Sequence, residues 1–561
     1  MNEFPRDWWK KTVAYEVYPM SFMDANGDGL GDLKGLTSRL DYLKSLGVGA
    51  LWITPVYLSP MVDNGYDVSD FRKINPMFGT MDDMDSLIAE ADKRGIKIVM
   101  DLVFNHTSNK CDWFLESCKD RVNSKNDWYI WRDPRNGGVP NNWRSIFGGS
   151  VWEWCESRKQ YYMHTFAKEQ PDLNWENTDV RNSLYDIAEF WIQKGVGGFR
   201  MDAIPYIKKP VCMADGLPDA GDGLASVHTM TVNTNGILDF LHEFKDKVIS
   251  KHPGVFTVAE ANGVKPDDLK HWVGSDGAFD MLFEFSHLHD VELWCKPSPF
   301  TIMDFKKALV ESQKATASNG WYPIFFENHD RSRCVDNYFY DALKGASAQM
   351  RTFAATAIAV LLFTLRGTPF VYQGQEIGMA NVAWDDIDSY NEVNSKAQYR
   401  FALEQGFGKK DALEMVHRYS RDNARTPMQW DESLNAGFTQ GRPWLGIHSN
   451  YLYVNVSAQE EDPGSVLNGY RYLSNLRRTS TELLEGDFIP VFEEHGQILA
   501  YRRSGYLILV NLSAAEAVYD PGVECGSDLI CSNYDVWGQK PSKDPMGRLR
   551  PFEAVIFYKK V

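Results

Sequence analysis

Short apolar runs rich in β-branched and aromatic residues alternate with amphipathic segments along most of the chain, and this alternation limits the possible folds more than any other feature. Helical segments such as 32–47 and 80–95 lie between most pairs of runs. Strands separated by helices run parallel and are joined by right-handed crossovers. Eight such units predict an α/β fold of the (β/α)8, or TIM-barrel, type. The predicted strands are 12–19, 50–57, 96–106, 197–202, 255–261, 280–285, 322–330 and 368–377.

Two connections are too long to be ordinary loops. Residues 107–175, rich in Trp, Asn and Gly, predict an inserted subdomain, and residues 378–445 form a long polar excursion after the eighth strand. From residue 485 the pattern changes to short alternating strands, which predicts a C-terminal antiparallel β-sandwich domain. The predicted domains are a barrel over 1–106 and 176–484, subdomain B over 107–175 and a β domain over 485–561.

Charge and hydropathy argue against several classes of partner. The 561 residues include 59 Lys and Arg against 76 Asp and Glu, and the formal net charge of −17 disfavours nucleic acid and anionic membrane surfaces. No apolar run reaches the ~18 residues of a membrane span, and residues 1–19 lack the apolar core of a signal peptide. We therefore expect a cytoplasmic monomer or homodimer.

The spacing of the cysteines also favours a cytoplasmic location. They form no CxxC pair and have no histidines at zinc-finger spacing, so we interpret them as free thiols in a reducing environment. The eight positions are Cys111, Cys118, Cys155, Cys212, Cys295, Cys334, Cys525 and Cys531.

Polar side chains follow the predicted strands where each strand ends. Chemistry in a (β/α)8 barrel takes place at the carboxyl ends of the strands, so these side chains are candidate site residues. Any one acid there could be a helix cap or half of a structural ion pair, but three acids with histidines and an arginine favour an active site. The candidates are Tyr66, Asp67, Asp101, Asn105, His106, Arg200, Asp202, Glu260, Glu327, Asn328, His329 and Asp330.

Glycoside cleavage is the chemistry that best suits these acids. It needs paired carboxylates, one ionised and one that holds a proton. The abundant aromatic residues, 18 Trp, 26 Tyr and 31 Phe, suit sugar binding, although they also suit large aromatic cores. A di-metal hydrolase would gather similar acids, but no HxH or HExxH spacing ends a strand or helix.

Several segments resemble the conserved segments of the α-amylase family, glycoside hydrolase family 13. "DLVFNH" (101–106), "GFRMD" (198–202), "VAE" (258–260) and "ENHD" (327–330) are similar to four of them. "QPDLN" (170–174) resembles the fifth in the form found in the oligo-1,6-glucosidase and α-glucosidase group. "VYQGQEIGM" (371–379) and "RDNARTPMQW" (421–430) are also similar to that group.

The resemblance implies a role for each matching residue. Asp202 matches the nucleophile, Glu260 the general acid/base and Asp330 the third acid, which grips substrate hydroxyls. Arg200 would keep Asp202 ionised by lowering its pKa. The remaining matches bind sugar: His106 and His329 as hydroxyl ligands, Tyr66 as a stacking ring, and Asp67 with Arg425 as the pair that closes the pocket, Arg421 being the alternative to Arg425.

A closed pocket admits only a chain end. The resemblance therefore implies a retaining, exo-acting α-glucosidase on maltose, isomalto-oligosaccharides or sucrose. A transglucosylase or sucrose isomerase of the same family is the alternative, although 331–345 lacks the Arg- and Asp-rich loop of those isomerases.

Within the resembling group, Ala203 favours α-1,4 or mixed cleavage over α-1,6, and "RSRC" (331–334) differs from the Gln-Pro-Arg of many relatives. A non-catalytic transporter heavy chain is disfavoured because all three acids are present.

A second motif predicts a metal ion. "DANGDGLGD" (24–32) resembles the first half of an EF-hand loop, but Gly35 stands where the loop's last Glu would be. Hard oxygen ligands suit Ca²⁺, with Mg²⁺ as the second candidate, in a structural role; an Asp/Gly turn that binds nothing is the alternative. The expected ligands are Asp24, Asn26, Asp28, the Leu30 carbonyl and Asp32.

Overall fold

Eight parallel strands form one nearly closed sheet, in the order β6-β5-β4-β3-β2-β1-β8-β7. The computed structural model describes residues 7–219, 221–261, 263–265, 268–274, 276–289, 291, 293–317, 320–524, 527–542 and 545–560. The predicted (β/α)8 barrel is confirmed. The strands are β1 Val13–Val17, β2 Val48–Ile53, β3 Lys97–Val103, β4 Gly198–Asp202, β5 Phe256–Glu260, β6 Met281–Phe283, β7 Pro323–Ile324 and β8 Thr368–Tyr372.

Most strands are shorter than the sequence predicted. The predicted strand 322–330 is paired only over β7, and the chain leaves the sheet at Phe325, before the polar "ENHD" segment begins. The predicted strand 50–57 starts at Val48 instead, and Tyr57–Leu58 pairs with Asp70–Ile74 in a separate ladder. The predicted helix 32–47 is interrupted at Arg39, whose backbone leaves the helical region at φ −104°, ψ 8°.

Backbone packing divides the chain into two units. The first comprises Trp52–Lys93 and Lys97–Glu284, with β3 to β6. Its α-helices are Met81–Lys93, Asp112–Ser117, Thr178–Gln193, Val227–Thr231, Ile237–Lys247 and Leu269–Trp272. The second comprises Asp7–Leu51, Arg94–Ile96 and Phe285–Val561, with β1, β7 and β8. Its α-helices are Leu33–Ser38, Leu40–Ser45, Ile302–Ala315, Cys334–Leu343, Ala348–Thr364, Val393–Glu404, Lys409–Tyr419, Asp422–Arg425, Val456–Glu461, Val466–Thr479 and Thr481–Glu485.

The segment predicted as subdomain B has its own small sheet. Trp131–Arg132, Gln160–Met163 and Trp152–Cys155 form three antiparallel strands in that order, and Trp143–Arg144 pairs with Ala225–Ser226. Its tryptophans supply a local core in which Trp143 is fully buried and Trp152 nearly so. Part of the aromatic content therefore serves packing rather than sugar binding.

The C-terminal part is a β-sandwich. Its larger sheet has five antiparallel strands in the order β9-β10-β11-β13-β12. The ladder of Ala517–Val518 with Arg548–Leu549 contributes to the same hydrophobic core, because Ala517 and Leu549 pack with the larger sheet's inner residues. The five strands are β9 Phe488–Val491, β10 Ile498–Arg503, β11 Tyr506–Asn511, β12 Asp528–Ser532 and β13 Ala554–Tyr558.

Two predictions about the whole chain can be compared with the described residues. No helix among them is both long enough and apolar enough to cross a bilayer. The seven cysteines that lie within the described ranges are free thiols, and Cys525 lies outside those ranges. The predicted domain boundaries stay predictions.

Two buried arginines bind the end of the helix Ala348–Thr364. Arg503 donates to the carbonyl oxygens of Thr364 and Leu483 at 2.7 Å and of Gly486 at 3.0 Å. Arg477 donates to the Leu365 carbonyl at 3.0 Å. The last carbonyls of a helix have no partner inside it and carry partial negative charge, so these guanidinium groups satisfy and neutralise them.

We expect Arg503→Met to lower the free energy of unfolding by about 3 kcal/mol, because several buried carbonyls would lose their donor at about 1–3 kcal/mol each. Urea unfolding followed by circular dichroism measures this change. Arg548→Met is the control: its exposed ion pair with Glu516 predicts a loss of at most about 1 kcal/mol. Equal losses in the two variants would contradict the capping role of Arg503.

Candidate active site

One buried guanidinium joins the carboxyl ends of three neighbouring strands. Arg200 on β4 lies in register with Asp101 on β3. Its Nη1 donates to Asp101 Oδ1 at 2.8 Å and to Asp202 Oδ1 at 2.5 Å, and its Nη2 lies 2.8 Å from Glu260 Oε2. Residues two apart on a strand point to the same face, which explains the Arg-x-Asp spacing. Three carboxylates therefore share one positive charge.

Burial dominates the electrostatics of Asp202. Loss of hydration raises the pKa of its carboxyl well above the ordinary 3.8, and the charges of Glu260 and Asp101 raise it further. The guanidinium of Arg200 lowers the pKa of Asp202, as the sequence predicted, but does not outweigh burial. The pKa of Arg200 is raised well above its usual value, because the attraction of the carboxylates exceeds the effect of its burial.

The residue after Asp202 turns the chain towards Glu260. Ala203 has a left-handed backbone conformation, with φ 45° and ψ 31°, and begins the short 3-10 turn Ile204–Tyr206. Its N–H donates to Glu260 Oε2 at 3.0 Å. A non-glycine residue in this region is uncommon, and a β-branched one is a strained outlier. The backbone at position 203 therefore positions Glu260.

Asp101 accepts hydrogen bonds from several side chains of the candidate site. Besides Arg200, it accepts hydrogen bonds from Trp52 Nε1 at 3.2 Å and from the Tyr66 hydroxyl at 3.0 Å. The cation of Arg200 lies 5.2 Å and 5.9 Å from the ring centroids of Trp52 and Tyr66. Tyr66, predicted to stack on sugar, is thus held in a fixed orientation.

His106 is buried and neutral. Burial lowers the pKa of its imidazole to about 4. The ring Nε2 lies 3.0 Å from the Tyr66 carbonyl oxygen and 3.1 Å from Gln170 Nε2. Gln170 opens the "QPDLN" segment, so this segment helps to position His106. The ring of Phe166 contacts the other side of His106, with centroids 5.3 Å apart.

A buried lysine that the sequence did not single out links two of the matching segments. Lys209 Nζ lies 2.8 Å from Asp172 Oδ2 and 3.0 Å from Asn105 Oδ1, and it also donates to the Tyr206 carbonyl. Asp172 accepts further hydrogen bonds from the backbone and hydroxyl of Thr165. This ammonium group joins the chain after Asp202 to "DLVFNH" and "QPDLN".

Asp67 is completely buried in the same unit. Its oxygens accept hydrogen bonds from the Ser59 hydroxyl and from the backbone N–H groups of Val62 and Asp63. Burial raises the pKa of its carboxyl. The predicted pairing of Asp67 with Arg425 stays a prediction, since Arg425 belongs to the second unit.

In the second unit, Asp330 is bound by arginines. Arg425 Nη2 donates to Asp330 Oδ1 at 2.7 Å, and its Nε donates to the His329 carbonyl at 3.0 Å. Arg421 Nη1 reaches the same Asp330 oxygen at 3.3 Å, and Arg421 Nε lies 3.2 Å from Glu392 Oε1. Arg425 is buried whereas Arg421 is partly exposed, so Arg425 is the more firmly fixed of the two.

His329 is held by an acid on the first strand. Its Nδ1 lies 2.6 Å from Glu16 Oε1, and its ring stacks on Tyr18 with centroids 6.4 Å apart. Its Nε2 is 3.4 Å from Asp330 Oδ2. Sequence reasoning missed Glu16; the available signal was one acid within an otherwise apolar, buried strand.

The "DANGDGLGD" loop is organised by its own side chains. Asp24 accepts hydrogen bonds from Asn26, Gly27 and Gly29 N–H groups and from the Thr439 hydroxyl. Burial raises the pKa of Asp24, but these hydrogen bonds outweigh it, so the net shift is downward. Among the described residues, no three His, Cys, Asp or Glu side chains are arranged to hold a metal. A cation would fit here only with the oxygens of Asn26 and Leu30 added.

Comparison with known proteins identifies the family. A model described as "Alpha amylase, catalytic domain" matches residues 16–486. The chain belongs to the α-amylase family. It is accordingly a glycoside hydrolase, and the four segments that carry Asp101, Arg200, Glu260 and Asp330 lie within the matched region.

Similarity extends over nearly the whole of this α-amylase-family chain. The probable oligo-1,6-glucosidase 3 of Bacillus subtilis (strain 168) is 41% identical over 98% of this chain and 99% of its own. Among solved structures, the Bacillus licheniformis trehalose-6-phosphate hydrolase has a TM-score of 0.89 at 37% identity, covering 98% and 99% of the two chains. The trehalulose synthase MutB of Pseudomonas mesoacidophila MX-45 has a TM-score of 0.90 at 36% identity, covering 100% of both.

The raised pKa of Asp202 leads to a prediction about how kcat/KM depends on pH. Its carboxylate is protonated as the pH falls through the raised pKa, so kcat/KM should fall at a pH above the ordinary carboxyl pKa of 3.8. Asp101→Asn removes a charge that raises this pKa, and the acidic limb should move to lower pH. Asp112→Asn, on an exposed residue, is the control and should leave the limb in place. An unmoved limb in Asp101→Asn would refute the electrostatic assignment.

Proposed function

We propose that this enzyme is a retaining, exo-acting α-glucosidase that releases non-reducing terminal glucose from short α-glucosides. Maltose and isomalto-oligosaccharides are the proposed substrates, with sucrose as a further candidate. The observation that carries the proposal is that Asp202 and Glu260 bind two nitrogens of one guanidinium. Carboxylates held this way lie close together, which favours the ~5 Å spacing of retaining enzymes over the ~6.5–9.5 Å that inverting enzymes need.

In the first step, Asp202 attacks the anomeric carbon while Glu260 gives its proton to the departing glycosidic oxygen. A covalent β-glucosyl-enzyme forms and the leaving sugar departs. Arg200 binds the Asp202 oxygen, which opposes protonation of the nucleophile, and the N–H of Ala203 keeps Glu260 in place.

In the second step, Glu260 takes a proton from water, which attacks the same carbon and releases α-glucose. Positive charge develops on the sugar ring in both transition states, and the surrounding carboxylates stabilise it. We assign Asp330 to the sugar hydroxyls. Its hydrogen bond to the buried Arg425 supports this role by fixing the orientation of the carboxylate.

Exo action rests on the pair of Asp67 and Arg425, which we propose closes the pocket behind the non-reducing glucose. Both residues are buried and therefore fixed in position. Tyr66, anchored by Asp101, and the neutral His106 supply the stacking face and a hydroxyl ligand.

The linkage preference is supported from two directions. The Bacillus subtilis relative is named for α-1,6 cleavage. Ala203 leaves more room than a branched residue beside Glu260 and favours α-1,4 or mixed cleavage. We therefore propose that both linkages are cut.

Transfer to a sugar acceptor is the alternative function. The similarity to a trehalulose synthase over the entire chain supports it, because isomerisation needs the same glucosyl-enzyme and differs only in the second step.

A substrate panel tests the proposal. We expect glucose from maltose and isomaltose with kcat/KM values within about a hundredfold of each other, the range available to one small pocket contact. Starch should be a poor substrate. Product analysis of sucrose at high concentration separates the alternative: trehalulose or isomaltulose as main product would favour an isomerase, and rapid internal cleavage of starch would exclude the exo assignment.

Variants of the two acids test the mechanism. Glu260→Gln should lose about 10²- to 10⁴-fold in kcat/KM on maltose but far less on p-nitrophenyl α-glucoside, whose leaving group needs no proton. A p-nitrophenol burst should precede slow turnover. Asp202→Asn should be inactive on both substrates with an unchanged circular dichroism spectrum. Parallel losses on the two substrates in Glu260→Gln would remove Glu260 from the acid/base role.

We also propose that the "DANGDGLGD" loop holds a structural Ca²⁺, with Mg²⁺ as the second candidate. The resemblance of the loop to the first half of an EF-hand supports this, as does the net downward shift in the pKa of Asp24, which keeps it ionised. The carbonyl of Leu30 and the amide oxygen of Asn26 would complete the oxygen ligands. The ion has no step in catalysis.

Removal of Ca²⁺ should lower the melting temperature by several degrees, since an ion at 100 times its Kd contributes about 2.7 kcal/mol. Calorimetry with EDTA and after Ca²⁺ addition measures this shift. Activity well below the melting temperature should not change. Asp28→Asn should abolish the response, and an unaltered melting temperature of the wild-type enzyme in EDTA would refute the site.

The proposed location is the cytoplasm, and the proposed assembly is a monomer or homodimer. The free thiols among the described residues support a reducing compartment.

A further inference from the structure

Two partly exposed cysteines of the inserted segment lie on chain segments that contact each other. Cys118 directly follows the helix Asp112–Ser117, and Cys155 ends the strand Trp152–Cys155. Cys155 Sγ lies 3.6 Å from the Cys118 carbonyl oxygen, and Cys118 Sγ lies 3.4 Å from the Leu115 carbonyl oxygen. The hydroxyl of Ser157 donates to the same carbonyl, which keeps the two backbone segments together.

A buried cation lies beside this pair. The guanidinium of Arg158 donates to the carbonyl oxygens of Ser117 at 2.7 Å and Asp120 at 3.0 Å, which fixes it at the end of the helix. Its charge interacts with both thiols and lowers the pKa of Cys118, against the larger, opposite effect of burial. The pKa of Cys118 is raised overall by burial, so the guanidinium offsets only part of the cost of forming the thiolate, which is the reactive form of cysteine.

We propose that Cys118 and Cys155 are a modification site, at which a small-molecule disulfide such as oxidised glutathione closes a reversible disulfide bond. One thiolate attacks a sulfur of the oxidant and releases one glutathione thiolate. The second thiolate attacks the resulting mixed disulfide and releases the other. The two cysteines lose two electrons and two protons, and these convert the oxidant into two thiols.

The bond would join the two arms of the insertion. One arm leaves the barrel after His106 and ends at Cys118; the other returns through Gln160–Met163 to Phe166, whose ring contacts His106. A cross-link over 118–155 restricts the unfolded chain and so stabilises the folded insertion. It touches none of the carboxylates around Arg200, so turnover at moderate temperature should stay the same while resistance to heat increases.

The experiment uses the full-length enzyme, first fully reduced and then exposed to oxidised glutathione. The intact mass should fall by two hydrogen atoms, peptide mapping should give a cross-link between Cys118 and Cys155, and dithiothreitol should reverse it. The melting temperature of the oxidised enzyme should rise by several degrees, and its half-life of activity on heating should lengthen severalfold.

Matched variants locate the effect. Cys118→Ser and Cys155→Ser should each abolish both the cross-link and the rise in melting temperature. Cys212→Ser, at an exposed cysteine elsewhere in the same unit, should respond as the wild type does. If either serine variant fails to fold, the peptide map of the oxidised wild-type enzyme still shows whether Cys118 and Cys155 are cross-linked.

Three results would overturn the proposal: a stable glutathione adduct on one cysteine without a cross-link, a cross-link that involves other cysteines, or a Cys118–Cys155 bond that leaves the melting temperature unchanged. None of these depends on the substrate of the enzyme, so they are independent of the glucosidase assignment.

Discussion

The guanidinium of Arg200 binds three carboxylates at once, and the candidate active site in the first unit depends on this interaction. Arg200 compensates only part of the negative charge of Asp101, Asp202 and Glu260, and all four groups lie at the ends of adjacent strands. Burial raises the pKa of Asp202 in the free enzyme, and the uncompensated charge raises it further. In the proposed mechanism, the same charge would stabilise a sugar that becomes positive as its glycosidic bond breaks. The repulsion among the carboxylates would thus be unfavourable in the free enzyme and would be relieved when the sugar becomes positive in the transition state.

Buried cations perform a second task, which is to hold irregular segments on the barrel. Lys209 binds Asp172 of the insertion and Asn105 at the end of β3, and Arg425 binds Asp330 and the His329 carbonyl. Loops have few backbone partners of their own, and a charged group with several strong hydrogen bonds joins them to the barrel. Removing one partner would leave the other charge buried and uncompensated, which is strongly destabilising.

Local pattern was enough to predict the barrel and to place Asp202 and Glu260 at strand ends, because the carboxyl ends of parallel strands meet at one edge. The exact strand ends were not predictable, since the seventh strand ends at Ile324, before Asp330. Partners distant in sequence could not be predicted: Glu16 beneath His329 and Lys209 beside Asp172 became visible only in three dimensions. The direction of the Asp202 pKa shift was missed for a related reason. The spacing of Arg200 and Asp202 indicated attraction, whereas the larger effect, burial, depends on everything packed around the pair.

Ala203 connects the linkage question to this charge cluster. The small side chain of Ala203 is proposed to influence which linkage is cut. Its N–H also donates to Glu260, and the backbone of Ala203 has a left-handed conformation. A β-branched residue would strain that conformation. A substitution at 203 that shifts this backbone would therefore also move Glu260, the proposed proton donor. Side-chain size at this position consequently predicts linkage preference only when the backbone conformation stays the same, which reconciles Ala203 with relatives named for α-1,6 cleavage.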